Sequence, residues 1–109
     1  MATSNISNPN NLIIVSSYTF TPTVEDHGSS NYIASVEYTL SKTGYTPIGI
    51  VGYKVYKGDQ TYPGNDINWY MMSVDRSSKK VICNGKSTAA NVGKSFTLVI
   101  EILWKRSAL

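Results

Sequence analysis

The chain has 109 residues, 41% apolar and 16% charged, with a net charge of +3, which suits one domain and leaves no room for a second core. Its single cysteine rules out an intrachain disulfide, and one cysteine with one histidine cannot build the usual zinc centres. No apolar run approaches the roughly 20 residues of a membrane-spanning helix, and 1–11, lacking a basic start and an apolar stretch, is no signal peptide.

In chain order, residues 1–11 are rich in Asn and Ser and read as a flexible lead or linker, with a single domain over 12–109. Leu12–Phe20 is β-branched and aromatic, as strands are. Tyr32–Leu40 alternates: Tyr32, Ala34, Val36, Tyr38 and Leu40 share a face opposite Ser35, Glu37 and Thr39, which predicts a half-buried strand. Pro47–Lys57 is a third strand, whose Gly49 and Gly52 mark a bulge or a close approach by another chain. Trp69–Val74 and Lys80–Cys83 flank Asp75-Arg76-Ser77-Ser78 and predict a hairpin.

Phe96–Arg106 is the clearest segment. Phe96, Leu98, Ile100, Ile102 and Trp104 form one face, while Val99 and Leu103 make the other partly apolar. That pattern predicts a central strand, or one packed against a neighbouring subunit. Short strands spaced by turns, with no helical stripe, predict an all-β antiparallel sandwich or jelly-roll-like fold. Two long loops remain, Thr21–Asn31 and Gly58–Asn68.

Charge is uneven along the chain. Residues 1–70 hold three cations and five acids, for −2, whereas 71–109 hold seven cations and two acids, for +5. An anionic partner would exploit this asymmetry. The cations form no run, so the plainer reading is that they solubilise strand ends and blunt sheet edges.

Catalytic patterns are missing. His27 sits alone in a polar loop with no patterned Ser or Cys partner, and reads as a solvated turn residue. Cys83, in an apolar run, reads as a small core residue. Gly85-Lys86-Ser87-Thr88 and Gly93-Lys94-Ser95 imitate a phosphate-binding loop, but Lys80 and Thr88 stand where its first glycine belongs. Asp59 and Asp66 bracket a loop without calcium-binding spacing. No catalytic residue, metal ligand or cofactor is therefore assigned.

Aromatic residues stand out more: eight tyrosines and two tryptophans. Tyr62 and Trp69 lie at the second long loop, where rings stack on sugars or pack at interfaces; for Trp69 the reading as a strand residue is the stronger, and for Tyr62 the two readings weigh evenly. Asp59 and Asp66 in the same loop count against nucleic acid. The candidate ligand-binding residues are thus Asp59, Tyr62, Asp66 and Trp69. The candidate subunit interface is Gly49, Gly52, Val99 and Leu103.

The segment from Leu40 to Tyr53, with Ser41-Lys42-Thr43-Gly44-Tyr45-Thr46-Pro47 leading into a strand that closes on Gly52-Tyr53, resembles the C-terminal tip domains of bacteriophage structural proteins of tail-fibre, baseplate and capsid-fibre type. Gly44 supplies the positive φ of a tight turn and Pro47 sets the entry to the next strand. The motif covers about fourteen residues; the looser likeness runs over 30–106. The resemblance implies a non-enzymatic virion protein that associates as a homotrimer and contacts a host-surface glycan or another virion component. The alternatives are a purely structural assembly module of a phage particle and a small carbohydrate-active enzyme domain.

Overall fold

A computed structural model describes residues 12–57 and 66–107. Seven strands appear: β1 (Ile13–Phe20), β2 (Glu25–Asp26), β3 (Tyr32–Thr39), β4 (Tyr45–Lys57), β5 (Asn68–Asp75), β6 (Lys80–Lys86) and β7 (Phe96–Arg106). A 3₁₀ turn at Ala89–Asn91 precedes β7. The strands form two antiparallel sheets, ordered β1-β7-β4 and β2-β3-β6-β5, packed face to face as an all-β sandwich.

Alternation along β7 explains the packing. Phe96, Leu98, Ile100, Ile102 and Trp104 are fully buried, each two residues from the next and so on one face of the strand. Leu98, Ile100, Ile102 and Trp104 meet Val36 and Leu40 from the β3 side and Val81 and Cys83 of β6. β7 is the central strand of its sheet, as its two apolar faces predict. Cys83 lies in the core, where its apolar setting pushes the thiol up to about 11. A smaller cluster of Val24, Ala34 and Phe96 closes one end, and Val55 and Trp69 touch both clusters.

An aromatic group seals the flank where β1 lies over β3. Phe20 and Tyr38 have ring centroids 5.4 Å apart, and Tyr18 stacks on Phe20 at 6.5 Å. Gly44 has φ +84° in the turn before β4, a conformation that costs an ordinary residue about 1–2 kcal/mol. β4 carries two register shifts, at Pro47/Gly49 and Ile50/Gly52, which are the bulges its glycines predict. The β5–β6 hairpin forms with Asp75 opposite Lys80. Asp75 Oδ1 accepts from the Ser77 hydroxyl at 2.8 Å and the Ser77 and Ser78 amides at 3.0 and 3.4 Å. These bonds hold its carboxyl below the usual range.

Two details differ from the expectations of the sequence. The loop 21–31 contains β2, whose two residues pair with Tyr32 and Ile33. β6 runs on through Asn84, Gly85 and Lys86, so the Gly-Lys pair of the first phosphate-loop imitation is strand. No helix among the described residues is long and apolar enough to cross a membrane.

Candidate functional site

Two places draw together the residues singled out above. The first is the outer face of the β1-β7-β4 sheet. Pairing aligns side chains in rows across the three strands: Val15, Leu103 and Gly49; Ser17, Glu101 and Gly52; Thr19, Val99 and Lys54. All four candidate interface residues, Gly49, Gly52, Val99 and Leu103, therefore share one surface. Val15 and Ile13 extend it across β1, 40% and 50% exposed, and Val51, the extra residue at the second bulge, is 55% exposed.

The glycines shape this face. A Cβ at Gly49 would meet nothing within 4 Å, so the surface is open there, opposite Leu103. At Gly52 a Cβ would stand 2.8 Å from Glu101 Oε1; the carboxylate lies over the bare backbone. Beside it is a hollow of about 270 Å³ lined by Ser17, Gly52, Tyr53, Lys54, Val99 and Glu101.

The edges of the sheets differ in how they are protected. β4 carries Pro47, two bulges, Lys54 and Lys57; β5 has a bulge between Trp69 and Met71; β2 is two acidic residues long. Each is a recognised way of blocking pairing with another chain. β1 has eight residues with no proline, no charge and an unbroken register. The Arg106 amide donates to the Leu12 carbonyl, and antiparallel pairing alternates from there. Val15, Ser17 and Thr19 thus direct their backbone groups away from β7 and toward the sheet edge.

The second place is a polar anchor at the start of β5. Lys57 Nζ donates to Asp66 Oδ2 at 2.8 Å. Ser87 Oγ donates to the Asp66 carbonyl at 2.8 Å and accepts from Asn91 Nδ2 at 3.0 Å. Ser87 and Asn91 are buried, and these bonds satisfy them. Hydrogen bonds from Lys57 and then Asn91 hold the Asp66 carboxyl below its ordinary value. An open hollow of about 530 Å³ beside it is bounded by Asp66, Ile67, Asn68, Lys86, Ser87 and Thr88.

Of the candidate ligand-binding residues, Asp66 is the exposed member of this anchor. Trp69 is half-buried, packed against both core clusters, and its Nε1 has no acceptor among the described residues. Asp59 and Tyr62 lie outside the described residues. Nothing in the local sequence singles out Ser87 and Asn91, since their contacts to Asp66 are long-range and leave no local pattern. The β1 contribution is readable, because Ile13, Val15, Ser17 and Thr19 alternate with Ile14, Ser16, Tyr18 and Phe20.

His27 is exposed, with Nε2 3.8 Å from Glu25 Oε1. No group of three or more His, Cys, Asp or Glu side chains among the described residues is placed to hold a metal ion. Compared with family models, curated proteins and solved structures, the chain has no significant match to any.

Proposed function

We propose that this protein is a non-enzymatic virion structural module that works by assembly through the outer face of its β1-β7-β4 sheet. The carrying observation is the convergence of Gly49, Gly52, Val99 and Leu103 on one partly apolar surface that continues onto Ile13 and Val15. A sheet face with only solvent to meet is ordinarily polar, so exposed aliphatic rows mark a contact surface. Among the described residues the edge of β1 carries none of the protections found on the other edges; it borders the same surface and supports the same reading.

The partner is a further copy of this chain, in a homotrimer, or another virion component. The viral setting rests on the likeness of the Leu40–Tyr53 segment to phage tip domains. Light scattering on the eluting protein tests self-association: the expected mass is three times the 12.0 kDa of the chain. Val99→Lys and Leu103→Lys should each shift it to the monomer mass.

A second reading, recognition of a host-surface glycan, is supported by the polar anchor, where Asp66, Asn68 and Thr88 border one hollow. Carboxylate, amide and hydroxyl groups of this kind hydrogen-bond sugar hydroxyls. A glycan array probed with wild type and with Asp66→Ala and Tyr62→Ala variants tests it; a sugar signal that both variants abolish supports receptor binding, and silence throughout leaves assembly as the function.

A further inference from the structure

Five of the seven cations of residues 71–109, dispersed in sequence, are gathered by the fold at one end together with Lys42. Lys42 belongs to the turn between β3 and β4, and Arg76 and Lys79 to the turn between β5 and β6; Lys80 opens β6, and Lys105 and Arg106 close β7. The pairs Thr39–Lys80, Asp75–Lys80 and Tyr45–Arg106 align these strand ends within each sheet. Across the sandwich, Arg76 of the β5–β6 turn and Lys105 and Arg106 of β7 line one open hollow of about 300 Å³, completed by Thr46, Ile48 and Ser107. Beside it, Lys42 Nζ lies 5.8 Å from the Trp104 ring.

Neutralising groups are engaged elsewhere. Glu37 Oε2 accepts from Lys80 at 3.1 Å, and Asp75 is bound within its own turn by Ser77 and Ser78. No acidic residue lines the hollow. Among the described residues, the ion pairs involve Lys57, Lys80 and His27, and none involves Arg76, Lys105 or Arg106.

Lysines that merely blunt edges would be spread along the edges. Here three cations from two sheets converge on one concavity, a repulsive arrangement that a bound anion relieves. Two guanidinium groups offer paired N–H donors matched to the oxygens of a phosphate, a lysine adds a point charge, and the Thr46 and Ser107 hydroxyls add donors. We propose that this basic end of the sandwich is a binding site for a phosphate-type oxyanion, free or carried on a polymer. Base stacking would require exposed rings among the cations. Of the aromatics near this end, Trp104 and Tyr45 pack into or against the core, and Tyr38 is engaged by the Tyr18 and Phe20 rings on the β1 flank, so the site recognises phosphate groups and not nucleobases.

The test is titration at low ionic strength with inorganic phosphate, with polyphosphate, and with single-stranded oligonucleotides of matched charge. An Arg76→Gln/Arg106→Gln double variant is compared with Lys94→Glu, which lowers the net charge by the same two units at the opposite end; circular dichroism verifies that both are folded. Wild type and the Lys94 variant should bind alike, and the arginine variant at least about tenfold more weakly. Saturable binding of inorganic phosphate identifies a free oxyanion as sufficient; binding of polyphosphate alone identifies a polymer-borne one. Absence of binding, equal loss in both variants, or oligonucleotide affinity that depends on base sequence would overturn the proposal.

Discussion

Cys83 pairs in register with Val36 on one side and Met72 on the other, and burial there raises its thiol from 9.0 to about 11. The native protein at pH 8 should leave an aromatic disulfide reagent unreacted, and one thiol per chain should react once denaturant is added. Because the unfolded chain loses this proton first, the thiol contributes stability below about pH 9 that is lost as pH rises toward 11. A Cys83→Ala variant should show a flatter stability profile across that window in denaturant titrations. Gly85 makes a steric prediction: a Cβ there would lie 2.8 Å from two Ile67 carbons and 2.9 Å from the Trp69 ring. Gly85→Ala should cost about 1–3 kcal/mol, read from urea unfolding, as overpacking does. Cys83 is legible as a core residue from its neighbours Val81 and Ile82. Gly85 is not, since the side chains that crowd it come from β5 and the residue that precedes it.

At the scale of elements, legibility follows periodicity. β3 and β7 alternate over eight and eleven residues, so the order of their residues alone assigns inward and outward faces. The bulges of β4 are legible from Gly49 and Gly52, and the turn before it from Gly44. Two-residue β2 has no period to detect, and the division of strands between two sheets depends on long-range pairing. The open surface at Gly49 yields a separable test of fold and assembly. Gly49→Arg should leave the melting temperature within a few degrees, because its Cβ meets open space, yet should abolish self-association. On β1, Val15→Lys should weaken association while sparing stability, because charge is what the other edges use against pairing.

The whole molecule presents surfaces of different character: an aliphatic outer sheet face, a polar anchor beside Asp66, and a basic end. The outer face is half legible, since Val99 and Leu103 reveal a second apolar face but not the alignment that joins them to Gly49 and Val15. The basic end is not legible, because cations far apart in sequence meet only when two sheets stack. Assembly through the outer face is apolar and should persist as salt rises, in contrast to ionic contacts, which screening weakens. The most direct test is light scattering on wild type and Gly49→Arg at micromolar concentration, with melting curves on the same samples. Assembly through this face predicts a trimer mass for wild type and a monomer mass for the equally stable variant. A monomeric wild type, or an arginine variant that still assembles, would contradict it.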